Sequence, residues 1–123
     1  MKEIKTNTAP AAIGPYSQAV VVNGIVYTSG QIAINPATGE IPEGIEAQAN
    51  QVFTNIKNLL EAAGTSIDKV IKTTVFIKNM GDFAKVNEIY GVYFTSPYPA
   101  RSCVEVSALP KGVLVEVEAI AEI

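Results

Sequence analysis

The sequence predicts an α+β fold: a mixed six-stranded sheet with two helices packed on one face, in a single domain over residues 1–123. Two segments repeat apolar residues at three- and four-residue steps, which is helical periodicity, and six shorter segments are β-branched or alternate at period two. Their order, βββαβαββ, places each helix between strands, and right-handed crossovers then put both helices on the same side of the sheet. A chain of 123 residues closes one core and is too short for two.

A short first strand is expected over Lys2 to Thr6. Gly14-Pro15 breaks the chain, after which Ala19 to Val22 and Ile25 to Thr28 flank Asn23-Gly24, the dipeptide that supplies positive φ for a two-residue hairpin. Asn35 to Glu40, with Pro42 and Gly44 beyond, is turn chemistry. Ile45, Ala49, Val52, Phe53, Ile56, Leu59, Leu60 and Ala63 form one helical stripe, and Gly64 stops it. Val70 to Ile77 reads as a strand. Asp82 can cap a second helix whose apolar face is Phe83, Val86, Ile89, Tyr90 and Tyr93. Pro97 and Pro99 force an extended entry into a strand over Ala100 to Val106, and Pro110-Lys111-Gly112 turns into a last strand, Val113 to Ile120.

Alternation sorts the last two strands into faces. Arg101, Cys103 and Glu105 point one way along the first of them, Ser102, Val104 and Val106 the other. In the last strand Val113, Val115, Val117 and Ala119 suit the helices, leaving Leu114, Glu116, Glu118 and Ile120 opposite. If the two strands pair as a hairpin, Arg101, Cys103 and Glu105 join Glu116 and Glu118 on the helix-free face, with Phe76. That face is too apolar for water and too charged for a core, so it asks for a partner, most simply another copy of the chain.

Composition narrows the chemistry. There is no histidine, which removes Ser-His and Cys-His nucleophiles and most transition-metal sites. The net charge is −3 and the nine basic residues are scattered, which argues against a nucleic-acid footprint. A single cysteine rules out an internal disulfide, no segment has the length and apolarity of a membrane span, and the first residues lack the apolar run of a secretory signal, so a cytoplasmic protein is expected. No glycine-rich phosphate loop and no acidic cluster beyond Glu116 and Glu118 is present; neither metal nor nucleotide cofactor is expected.

Each candidate site residue carries a plain alternative. Arg101, mounted after a proline-stiffened loop, can present paired donors to a carboxylate or form a salt bridge with Glu105, Glu116 or Glu118. Glu116, between two valines, is a general base if an interface buries it and otherwise a solvated strand glutamate, with Glu118 its rival. Cys103 has no histidine to activate it and reads as a small buried residue whose backbone N–H can face a ligand. Tyr16 and the Ser29-Gly30-Gln31 step sit where a ligand can approach the backbone, or are turn chemistry alone. Asn87, among Phe83, Tyr90 and Phe94, can satisfy a backbone group or touch substrate.

The runs Ala9 to Gln18, Thr28-Ser29-Gly30-Gln31, Lys72 to Phe76, Val86-Asn87, Pro99 to Val106, Ala108 to Lys111 and Val115 to Ala119 together resemble the Rid (YjgF) family, in its RidA subgroup of 2-iminobutanoate/2-iminopropanoate deaminases. The resemblance spans essentially the whole chain and implies a chorismate-mutase-like fold and a homotrimer whose sheets line a central barrel, with sites in clefts between subunits. It implies hydrolytic deamination of reactive 2-imino acids to 2-keto acids and ammonia, protecting pyridoxal-phosphate enzymes, without a cofactor. By position Arg101 matches the arginine that grips the substrate carboxylate, Glu116 the acid that positions water, and Cys103 a ligand-contacting cysteine; Tyr16, Ser29, Gly30 and Asn87 match positions lining the cleft. A protein that senses keto acids in the same cleft is the alternative from another class, and a ribonuclease is disfavoured by the missing histidine and acidic charge.

Overall fold

The computed structural model describes residues 1–123. Seven strands form one sheet: β1 (Lys2–Ile4), β2 (Ala19–Val22), β3 (Ile25–Thr28), β4 (Gln31–Ile32), β5 (Val70–Ile77), β6 (Ala100–Glu105) and β7 (Val115–Glu122). Helices α1 (Ile45–Ala62) and α2 (Phe83–Tyr93) complete the fold. The strand order is β1-β2-β3-β7-β5-β6, with β4 also on β7.

Local signals act where expected. Asn23 and Gly24 take φ of 50° and 75°, closing the β2–β3 hairpin with Val22 opposite Ile25. Gly64, at φ 89°, ends α1: its N–H donates to the Glu61 carbonyl and that of Thr65 to the Leu60 carbonyl, the paired bonds of a Schellman stop. Asp82 stands at the start of α2 but makes no side-chain cap; a short 3-10 turn over Met80–Asp82 leads in, and Glu105 Oε1 accepts from the Met80 N–H at 2.7 Å.

The core lies between the sheet and the helices. Val52, Phe53, Ile56, Leu59 and Leu60 of α1 are fully buried in one cluster with Val26, Val75, Ile77, Val115, Val117 and Ala121. Each large side chain so buried contributes about 1.5–3 kcal/mol of transfer free energy. Phe53 meets Tyr90 and Phe94 edge-on, at centroid distances of 5.6 and 6.0 Å, and so locks α1 to α2.

Two expectations are corrected. First, β6 and β7 do not form a hairpin: β5 lies between them, parallel to β6 and antiparallel to β7. The β5–α2–β6 crossover delivers β6 to the free edge of β5, and the chain then returns to place β7 in the middle of the sheet. Second, the faces of β6 are reversed. Arg101, Cys103 and Glu105 stand opposite Thr73, Val75 and Ile77, the inward residues of β5, so they lie on the helix side. Ser102 and Val104 share the helix-free face with Phe76, Glu116, Glu118 and Ile120. The boundaries also move: β1 ends at Ile4, and β7 runs from Val115 to Glu122, after a 3-10 turn over Pro110–Gly112 in which Lys111 has φ 57°.

The strand not anticipated is β4. It continues along the edge of β7 that β3 occupies, after an interruption at Ser29-Gly30. Thr28 Oγ1 accepts from the Ala119 N–H at 3.0 Å there, which replaces a ladder bond. Fully buried Asn55 of α1 holds the following segment, its Nδ2 donating to the carbonyls of Ile32 and Ile34 at 3.0 and 2.9 Å. No helix is long and apolar enough to cross a membrane.

Candidate active site

The candidate residues fall into two groups. Arg101 opens β6, exposed, and reaches over α2: its Nη1 donates to Asn87 Oδ1 at 2.7 Å. The guanidinium carbon lies 4.7 Å from the Tyr90 ring centroid and 5.4 Å from that of Phe83. No acidic side chain pairs with it, so the salt bridges to Glu105, Glu116 or Glu118 left open by the sequence are not formed. Arg101, Asn87 and Tyr90 line a hollow of about 460 Å³ with Gly91, Tyr98 and Pro99. Burial pushes the phenol of Tyr90, whose hydroxyl lies 2.8 Å from Thr73 Oγ1, above its ordinary pKa, with that hydrogen bond and the Arg101 charge opposing.

Cys103 is half-buried against the core two residues along β6. Burial pushes its thiol up, with the nearby Arg101 guanidinium opposing. The thiol is therefore the resting form, and a preformed nucleophilic thiolate is not what this environment makes.

The second group gathers where β3 breaks. Glu116, half-buried on the helix-free face, packs its carboxylate against Gly30: a Cβ built on Gly30 would meet Glu116 Oε1 at 2.8 Å. Only glycine leaves that room. Ser29 Oγ donates to the Ser17 carbonyl at 2.6 Å and the Ser29 N–H to the Gln18 carbonyl at 2.9 Å, tying the loop that carries Tyr16 to this strand break. Tyr16 and Gly30 line a hollow of about 280 Å³ with Ile13, Lys111 and Gln31, whose buried Oε1 has no protein donor. Burial, and secondarily the Glu118 carboxylate two residues along the same face, push the Glu116 carboxyl above the usual range.

Within one chain these groups do not meet. Arg101 stands opposite Thr73 and Glu116 opposite Phe76. That is about 10 Å along β5 and about 10 Å across two strand spacings, with the side chains on opposite faces of the sheet. A guanidinium with no acidic partner and a half-buried carboxylate of raised pKa thus lie on separate surfaces, two half-sites of one chain. The buried amides went unnoticed in the sequence: Gln18 Nε2 donates to the Pro10 carbonyl at 2.7 Å and its Oε1 accepts from the Thr6 N–H at 2.8 Å, and Gln48 Oε1 accepts from the Leu114 N–H at 2.8 Å. Their signal was a glutamine within an apolar stripe or beside a strand. No three Asp, Glu or Cys side chains come together to hold a metal ion.

The fold defines an α+β protein of the YjgF type. A family model described as endoribonuclease L-PSP matches residues 6–123, and the chain belongs to that Rid (YjgF) family. The 2-iminobutanoate/2-iminopropanoate deaminase of Escherichia coli strain K12 is 53% identical over 123 residues, covering 98% of this chain and 96% of its own. RidA from an Antarctic Psychrobacter superposes with a TM-score of 0.97 at 50% identity, covering 100% of each chain. Escherichia coli TdcF, solved with bound serine, gives 0.96 at 48% identity, covering 100% of this chain and 99% of its own.

Proposed function

We propose that this protein hydrolyses 2-imino acids, 2-iminobutanoate and 2-iminopropanoate among them, to 2-keto acids and ammonia, as a cytoplasmic homotrimer with sites between subunits. The observation that carries the site is the unpaired Arg101 guanidinium in a hollow, set apart from a half-buried carboxylate of raised pKa. The relative named as a deaminase supports the activity, and the relative solved with serine supports a small carboxylate-bearing ligand. Because the half-sites are different surfaces of one chain, head-to-tail contact between copies would join them, and such contact makes a ring where the rotation between copies closes.

In that ring Arg101 of one subunit binds the substrate carboxylate through charge-assisted bonds, and Glu116 of the next holds a water against the imine carbon. The protonated imine is already electrophilic. Water adds to the carbon as one of its protons passes to Glu116, giving a carbinolamine. Glu116 returns that proton to the nitrogen and takes the hydroxyl proton as the C–N bond breaks, leaving the keto acid; the departing ammonia recovers the proton as ammonium. The Cys103 backbone, with Ser29, Gly30 and Tyr16 from the facing half, lines the cleft and steadies the intermediate, and the thiol need not react.

The test is keto-acid release from 2-iminobutanoate generated in place by an amino-acid oxidase, with semicarbazide as competing trap. Wild-type protein accelerates release, and Arg101→Ala loses about a hundredfold in kcat/KM, the worth of about 2–3 kcal/mol of charge-assisted binding. Unchanged hydrolysis by Arg101→Ala excludes the assignment. Keto-acid binding without any turnover by the wild type would establish a sensor instead.

A further inference from the structure

Arg101 is held in an unusual way for an exposed arginine. Its partners are one amide oxygen and two aromatic rings, and all three come from α2 at positions 83, 87 and 90, the i, i+4 and i+7 spacing of a single helix face. Tyr90 is itself fixed at its far end by the buried Thr73 hydroxyl on β5 and stacked on Phe94, with ring centroids 4.4 Å apart. A carboxylate partner would have occupied the N–H fork and cancelled the charge. An amide oxygen takes one N–H, and ring faces take none, so the remaining donors and the whole positive charge stay available.

We propose that Phe83, Asn87 and Tyr90 are positioning residues: they form a mount that presents the Arg101 fork to a carboxylate, and Asn87 acts through Arg101 rather than by touching substrate. This rests on the reading of Arg101 as the carboxylate anchor. It deepens that reading by explaining how a flexible side chain on an edge strand is kept ready without an acid beside it. Ordering the side chain before binding removes part of its entropic cost, so the mount acts on affinity and not on the proton transfers.

The decisive variant is Asn87→Asp, which holds Arg101 more strongly but gives it a rival carboxylate. It should raise KM for 2-iminobutanoate, and Kd for the product 2-oxobutanoate by calorimetry, about tenfold or more, while kcat stays within about twofold and Tm does not fall. Tyr90→Leu should raise KM about three- to thirtyfold, the range of a lost cation–π contact, and Tyr90→Phe, which keeps the ring, should recover most of it. In an Arg101→Ala background Asn87→Asp should change kcat/KM no further. A purely structural role for Asn87 predicts unchanged or lower KM for Asn87→Asp, and either result overturns the mount, as does a full additive effect in the Arg101→Ala background. If Arg101→Ala itself leaves KM unchanged, the anchor reading falls and the mount with it. If Arg101→Ala raises KM while Asn87→Asp and Tyr90→Leu do not, the mount alone falls.

Discussion

Glu116 shows how one residue is tuned by its immediate surroundings. Its carboxylate lies against the bare backbone of Gly30 and shares a strand face with Glu118, and burial and like charge both raise its pKa. In its proposed role as general base Glu116 must be deprotonated, so kcat/KM should fall as pH drops through this raised value, giving an acid limb above the ordinary carboxylate range. Glu118→Gln removes only the secondary cause. The limb in a pH–rate profile should therefore move to lower pH without reaching the value of a free glutamate, and an unmoved limb would remove Glu118 from the account. Gly30→Ala tests the same contact sterically. The nearest atom to the new methyl is the end of a flexible side chain, so the fold should survive with Tm nearly unchanged. The displaced carboxylate should cost about ten- to a hundredfold in kcat with KM little altered, the typical penalty for misplacing a reacting group by about 1 Å.

At the scale of elements, α1 does more than supply an apolar stripe. Asn55, fully buried, donates to the carbonyls of Ile32 and Ile34 and accepts from Gln51 Nε2 at 2.9 Å, so it fastens β4 and the loop beyond it to the helix. Asn55→Ala strands two carbonyls and should cost about 2–4 kcal/mol in denaturant unfolding, a loss large enough to read as several degrees in Tm. A cost within about 0.5 kcal/mol would show that the loop holds itself. The periodic elements were legible: the stripe from Ile45 to Ala63, the Asn23-Gly24 hairpin and the Gly64 stop are each set by local chemistry. The two-residue β4 was not, because its pairing is imposed by β7 and by Asn55, far away in sequence. The pairing of β6 was misjudged for a related reason. Alternation correctly grouped Arg101 with Cys103 and Glu105, but period two does not say which group faces inward, and a three-residue offset on β5 decides it. The candidate residues were legible from strand position and side-chain chemistry and took their roles from the family resemblance, while the contacts of Arg101 with Phe83, Asn87 and Tyr90 follow only from the folded helix.

As a whole molecule the chain is unfinished on two sides. β6 ends the sheet as an edge strand, and its Val104 is 44% exposed on a helix-free face that also carries Phe76, Glu116, Glu118 and Ile120. An unpaired edge next to a part-apolar face is a surface that soluble proteins cover. The proposed arrangement, copies packed head to tail so that the Arg101 half-site of one meets the Glu116 half-site of the next, would cover both. The central claim is that neither half is a catalyst alone, and mixing subunits tests it most directly. Arg101→Ala and Glu116→Gln proteins, each strongly impaired, should recover activity when co-refolded in equal amounts, because some interfaces then combine an intact arginine with an intact glutamate. For a statistical mixture of three-chain rings the recovery should approach about one quarter of wild type. Mixed assemblies that form, as seen by native mass spectrometry, yet hydrolyse 2-iminobutanoate no faster than either parent would contradict the account.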